Sequence, residues 1–271
     1  MSIYTDNTWP EWGVTHQWAN AIIKDRIKTS RGTLVEMVER PHWGIACYMN
    51  NEIQSCEVDE QLYHEALVHP AMSAVHQPKR VLIIGGGEGA TLREVLKWPT
   101  VEHVDMYEWD KEVVNLFRVK YPQWADGAWD NPKVTIHYHD IYEAITRYPF
   151  YPYDVIIIDL FDPTDDNKIM WETLFHHLQH WKHEHGSIVL YAGIRSFTQS
   201  TQPYEFLEEL IENSPIQTWE IIPYHVYIPS FMSESVFILI TSHLKKISFD
   251  SVKSDTHITA DIWKSYTIFN W

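Results

Sequence analysis

Cysteine is scarce in this chain: two residues in 271, Cys47 and Cys56. A disulfide framework is therefore excluded, the pair makes no metal-ligand spacing, and both thiols read as ordinary small side chains. No run of about 18 apolar residues is present to cross a bilayer. The opening stretch MSIYTDNTWPEWG has neither the basic region nor the apolar core of a signal peptide, so a soluble, cytoplasmic protein is the expectation. Basic residues are also in short supply, 21 Lys and Arg against 37 Asp and Glu, which leaves a net charge of −16. With no basic stripe to neutralise phosphates, nucleic acid is not expected as a partner. Cationic ligands remain open, and the acidic surface serves either to steer a polycation or only to keep the protein soluble. Internal repeats and low-complexity linkers are missing too, and no second catalytic domain is expected. Among 16 histidines none forms H-E-x-x-H. The segment FHHLQHWKHEHG, with His176, His177, His180, His183 and His185, leaves two readings open: a metal site, or a helix carrying solvated imidazoles up to a stop at Gly186.

Glycine is sparse as well, at 10 residues, yet three stand together as Gly85, Gly86 and Gly87. They follow the β-branched apolar run 81–84 and precede a helical repeat of Leu92, Val95 and Leu96, the order of a strand, a tight turn and a helix. A second strand then ends in acid, so residues 81–110 read as the first half of a nucleotide-binding α/β sheet. Gly85, Gly87 and Ala90 also satisfy the relaxed dinucleotide fingerprint, so the glycines alone do not choose a ligand. Glu88 helps to choose. A carboxylate inside the turn repels a pyrophosphate where backbone N–H groups and the positive helix end would otherwise hold it. Glu108 lies 19 residues after Gly89, the spacing of an acid that accepts hydrogen bonds from ribose hydroxyls. Together these suggest an adenosine that carries a positive charge, such as a sulfonium; the alternative is a structural crossover with a solvated glutamate.

Elsewhere the pattern predicts a short helix over 14–28 and a β-hairpin over 33–49, broken at Pro41 and Gly44. A helix then presents Leu62, Ala66 and Leu67 on one face and stops at Pro70. On it, Tyr63 reads as a core-edge residue and His64 and Glu65 as solvent-facing. Further helices are expected over 111–121, 141–148, 169–183 and 203–213. The third strand, 134–139, ends on Asp140, a fifth is expected over 187–191, and 216–228 and 234–241 should form an antiparallel end. The fourth strand, YDVIIIDLFDP, has the continuous apolar run of a strand covered on both faces and delivers Asp159 and Asp162 at its end. Two carboxylates there would hold a diamine and take a proton from it. Mg²⁺ is the competing ligand, but it leaves Glu88 and the missing phosphate-binding lysine unexplained, and a purely structural pair is the remaining alternative. Residues 164–168 are placed to act as a lid.

Taken in order, DEQLYHEALVHPAM, VLIIGGGEGATLREVLKWPTVE, the acid in YEWD and YDVIIIDLFDP resemble the spermidine synthase family, the polyamine aminopropyltransferases, over residues 50–163. The spellings GGGEGA and DLFDP are most similar to the agmatine-, triamine- and thermospermine-forming branches. The resemblance implies an α/β fold: a small N-terminal β-stranded domain over 1–70 and a Rossmann-like, S-adenosylmethionine-methyltransferase-type sheet over 71–271. It implies a homodimer or homotetramer, decarboxylated S-adenosylmethionine as co-substrate, and no tightly bound cofactor or metal. By position, Gly85 and Gly87 would shape the donor site, Glu108 would bind the ribose, and Asp140 with the Ile141 backbone would read the adenine. Glu88 would face the aminopropyl group with His64 beside it. Tyr63 would contact the acceptor amine, Asp159 would be the base and Asp162 would help to hold the amine. Thr33 stands where the family has a glutamine near the donor, Tyr191 replaces another glutamine, and TDDNKIMW replaces the usual lid. These departures bear on the acceptor more than on the donor.

The chemistry suits such roles. A sulfonium is already a good leaving group, so the tasks are in-line alignment and freeing the lone pair of an amine whose pKa lies near 10. Aminopropyl transfer with release of 5′-methylthioadenosine is the expected activity. An S-adenosylmethionine-dependent methyltransferase on the same fold is the second reading, motivated by Tyr191 and the altered lid. A non-catalytic polyamine- or nucleoside-binding protein is the third, and Asp159 with Asp162 argues against it.

Overall fold

The computed structural model of the chain describes residues 2–9, 13–75, 77–147, 152–161, 164–195, 203–216, 219–241, 247–252 and 256–268. Ile3–Trp9 (β1) and Val14–Ala19 (β2) pair antiparallel, and Ile22–Lys28 (β3), Leu34–Arg40 (β4), Gly44–Met49 (β5) and Glu52–Cys56 (β6) form a four-stranded meander. The helix expected over 14–28 is thus two strands. Asn20, at φ 59°, reverses the chain between them, and the Trp18 indole donates to the buried Asp6 carboxylate of β1 at 2.8 Å. Cross-strand partners override a pattern that is ambiguous in isolation.

Glu60–Ala74 (α1) packs on the large sheet and runs straight through Pro70, where the sequence predicts a stop. Proline has no N–H to give to the carbonyl of residue 66. The Tyr224 hydroxyl donates to that carbonyl instead, at 2.7 Å, so the orphaned acceptor is satisfied from outside the helix. Glu65 is buried rather than solvent-facing; its carboxylate accepts from the backbone N–H of His257 at 2.6 Å and of Ile258 at 3.0 Å, which ties down the C-terminal segment.

The large sheet follows: Arg80–Gly85 (β7), Ala90–Leu96 (α2), His103–Tyr107 (β8), Lys111–Lys120 (α3), Val134–His137 (β9), Ile141–Arg147 (α4), Tyr153–Asp159 (β10), Lys168–Leu178 (α5), Lys182–Ile194 (β11), Pro203–Glu212 (α6), Glu220–Ile228 (β12), Ser233–Thr241 (β13) and Ala260–Tyr266 (α7). The spatial order is β12-β13-β11-β10-β7-β8-β9, parallel from β11 to β9 and antiparallel at β13 and β12. Residues 81–84 and 155–158 are wholly buried, as the unbroken apolar runs require of strands covered on both faces. From β7 the chain steps outward to β8 and β9, then returns on the other side as β10. The crevice at the carboxyl ends of β7 and β10 is therefore the topological switch point, where open α/β sheets bind ligands.

The helix expected over 169–183 ends at Leu178, and β11 starts at Lys182. Parallel pairing of Tyr153 with Lys182 draws the segment into the sheet, and the buried Lys182 ammonium donates to the carbonyls of His183 and Glu184 at 2.7 and 3.3 Å. The histidine-rich segment is consequently split, with His176 and His177 on the helix and His183 and His185 in the strand. Among the described residues no group of three or more His, Cys, Asp or Glu side chains is placed to hold a metal ion.

Candidate active site

A cavity of about 410 Å³ lies at the switch point. Its floor is the glycine turn. A Cβ on Gly85, at φ +86°, would meet the Asp159 backbone oxygen at 2.0 Å, so only glycine permits β7 and β10 to close together there. A Cβ on Gly87 would come within 3.0 Å of Glu108 Oε2, so this glycine lets the acid lie against the turn. Glu108 Oε1 accepts from the Asp110 N–H at 2.8 Å. Burial pushes the Glu108 carboxyl up to about 7, although the N–H groups of Asp110 and Trp109 pull it down. Asp140 opens α4 and accepts from the Tyr142 N–H at 2.9 Å through Oδ1. Asp140, Ile141 and Thr33 line the cavity together with Glu108 and the glycine turn.

Three further acidic side chains on the wall are Glu88, Asp159 and Glu52. Glu88 is partly buried in the cavity wall, and its desolvation raises its pKa; its Oε1 lies 2.6 Å from His64 Nε2. His64 is not itself on the cavity wall but stands behind Glu88. Burial disfavours its imidazolium, yet Glu88 and Glu60 outweigh that and raise its pKa well above the ordinary value. Asp159 faces the cavity from the end of β10 with both oxygens engaged: Tyr63 Oη donates to Oδ1 at 3.2 Å and Thr91 Oγ1 to Oδ2 at 2.7 Å. Tyr63 is in turn packed by Tyr191, Phe231 and Phe237, with ring centroids 5.7, 6.0 and 5.2 Å away. Tyr191 thus belongs to an aromatic wall beside Asp159. Asp162 and Pro163 lie outside the described residues.

Ten of the sequence-nominated positions meet at this site: nine on the wall and His64 one layer behind. Sequence reasoning missed Thr91, Gln54 and the Glu60–Arg93 pair. Gln54 carried a signal, since it alternates with buried Ile53 and Ser55 along β6 and so points away from that core and into the cavity. Glu60 carried one too, four residues before His64 on a helix. Thr91 and Arg93 have no signature; only the packing of α2 against α1 brings them in.

These features define a class of protein: an α/β nucleoside-binding fold whose crevice offers carboxylates where a phosphate-binding fold offers N–H groups and cations. Comparison with known proteins places the chain within it. Residues 60–251 match the family described as the Spermine/spermidine synthase domain, and the chain belongs to that family. It is 38% identical over 220 residues to a polyamine aminopropyltransferase of Pyrobaculum calidifontis, covering 79% of this chain and 74% of the relative. It is 34% identical over 230 residues to polyamine aminopropyltransferase 2 of Pseudomonas aeruginosa, covering 84% of this chain and 61% of the relative. The fold is that of the spermidine synthase from Thermotoga maritima, with a TM-score of 0.84 at 21% identity over 99% of this chain and 91% of that one. A spermidine synthase in complex with the transition-state analogue AdoDATO matches equally, with a TM-score of 0.84 over 99% and 92% of the two chains.

Proposed function

We propose that this chain is a polyamine aminopropyltransferase, moving the propylamine group of decarboxylated S-adenosylmethionine to a di- or polyamine of the putrescine or agmatine kind and releasing 5′-methylthioadenosine. The observation that carries the reading is the placing of Glu88 and Asp159 on one cavity wall with Glu108. Glu108 accepts from the ribose hydroxyls, and Asp140 and Ile141 meet the adenine. Glu88 pairs with the donor's ammonium group. An amine held at Tyr63 and Asp159 attacks the carbon next to sulfur; its N–C bond forms as the C–S bond breaks, and the sulfur leaves as a neutral thioether. Asp159 takes the proton from the attacking nitrogen. Ordinary S-adenosylmethionine would bring a carboxylate toward Glu88, which disfavours methyl transfer. Asp162 is assigned to the amine from its place in the motif.

The boundary expected between residues 70 and 71 falls inside α1, so we assign β1–β6 to the N-terminal unit and the chain from α1 onward to the catalytic unit; the two share the site, since Thr33 and Gln54 face the cavity from the first and Glu108 from the second. We assign the enzyme to the cytoplasm, where the two free, buried thiols suit a reducing environment. We infer a homodimer or homotetramer, supported by the exposed Ile3, Val14, Ile22 and Ile23 on the N-terminal strands. The test of the activity is incubation with decarboxylated S-adenosylmethionine and putrescine, agmatine, cadaverine or spermidine. Methylthioadenosine should appear with at least one amine, and its absence with all of them overturns the reading.

A further inference from the structure

Buried charges continue away from the cavity behind Glu88. His64 Nδ1 lies 2.6 Å from the Glu60 carbonyl oxygen and 3.2 Å from the Glu60 carboxylate. Arg93 donates to both oxygens of that carboxylate, at 2.9 Å each. Arg93 is held in turn by Glu94 at 2.8 Å and by the Trp124 carbonyl at 2.6 Å. None of Glu60, Arg93 and Glu94 lies on the cavity wall.

The hydrogen positions follow from the acceptors. A backbone carbonyl can only accept, so His64 Nδ1 carries a hydrogen. Between His64 Nε2 and Glu88 one further proton has two places. On the ring it makes an imidazolium–carboxylate pair; on Glu88 it makes a neutral pair. Only the first arrangement meets an incoming cation with a carboxylate. The charged and titratable groups facing the pair are Glu60 and Tyr63 from α1, the Tyr63 ring centroid 5.0 Å from that of His64, with Asp159 from β10 and the Cys47 thiol from β5. Asp159 favours the proton on Glu88. The Glu60 charge favours a proton on either group, but acts more strongly on His64, whose Nδ1 lies 3.2 Å from its carboxylate. The two-point bond to Arg93 keeps Glu60 ionised, because a protonated carboxyl has only one oxygen free to accept fully.

We propose that Glu60, clamped by Arg93, is a positioning residue that keeps the shared proton on His64 and so presents Glu88 to the donor's ammonium group as a carboxylate. This rests on the aminopropyl-donor reading of the cavity. Glu60→Gln removes the charge and spares the frame, since the Nδ1 bond to the residue 60 carbonyl and the Arg93 bonds to Glu94 and Trp124 persist. In the variant the proton moves to Glu88 at low pH, and the pair releases it as pH rises, which restores the carboxylate.

Calorimetry of the full-length protein tests this with two ligands, decarboxylated S-adenosylmethionine and the uncharged thioether methylthioadenosine. The variant should bind the donor on the order of tenfold more weakly near about pH 6.5, and within about twofold of wild type near about pH 9. Methylthioadenosine binding should stay within about twofold of wild type throughout, which also shows that the variant is folded. A loss that is independent of pH, or equal for both ligands, overturns the proposal. Nitrogen-15 NMR of the His64 ring gives a readout that needs no donor: both ring nitrogens protonated near neutral pH in wild type, but not in the variant. Identical spectra overturn the proposal, while a clear spectral difference in a protein that does not bind the donor overturns the functional reading alone.

Discussion

Tyr63 and Asp159 stand 96 positions apart in the chain, and the Tyr63 hydroxyl donates to Asp159 Oδ1 at 3.2 Å. With Thr91 on the other oxygen, the carboxylate is fixed in direction before any amine arrives. On the proposed reading, an amine entering along the aromatic wall would meet Asp159 in one orientation, the positional part of catalysis.

Tyr63→Phe removes that bond and keeps the ring among Tyr191, Phe231 and Phe237. A hydrogen bond to a charged group contributes about 1.5–3 kcal/mol, so kcat should fall by about tenfold or more. Donor Kd should change little. Steady-state kinetics with a parallel thermal melt checks this, and a drop in melting temperature that accounts for the lost activity would count against it.

If Glu108 holds the ribose as proposed, nucleoside binding should depend on pH. Its folded-state pKa of about 7 lies above the ordinary 4.5, so the folded protein holds a proton there that the unfolded chain has lost. The contribution to stability is therefore full below about 4.5 and declines as pH rises to about 7. Ribose hydroxyls prefer to donate to the ionised form, so methylthioadenosine affinity should rise by about tenfold between about pH 6 and a plateau above about pH 8. Titration calorimetry across this range measures it, and Glu108→Gln should leave a flat profile. A wild-type affinity that falls as pH rises contradicts the assignment.

Pro70 and Tyr224 should be energetically coupled. Tyr224→Phe leaves the Ala66 carbonyl without its donor inside a buried helix, at a cost of about 1–3 kcal/mol. In a Pro70→Ala background the backbone supplies an N–H, and the same substitution should cost less by about 1 kcal/mol or more. Urea unfolding of the four proteins closes the cycle, and additive losses would show that the hydroxyl does not replace the missing N–H.

Local regularities were legible where they were strong. The runs 81–84 and 155–158, the three glycines and the acids at strand ends led directly to the parallel sheet and its crevice. The helix expected over 14–28 failed because Trp18 acts through Asp6 on β1, which no local pattern contains, and Asn20 turns the chain at φ 59°. Pro70 misled for the same reason, since its rescue comes from residue 224. At the site, single residues with distinctive placement such as Glu88 and Glu108 could be read, whereas Thr91 and Arg93 contribute through helix packing. Asp162, the second acid of the fourth-strand motif, lies outside the described residues.

Single-turnover aminopropyl transfer by wild type and by Asp159→Asn, with donor binding measured on the same samples, tests the central claim most directly. Loss of the base should lower the chemical rate by about 10²- to 10⁴-fold while donor Kd stays within a few-fold. An equal loss in both, or a variant that turns over like wild type, would contradict the assignment of Asp159 as the group that takes the amine's proton.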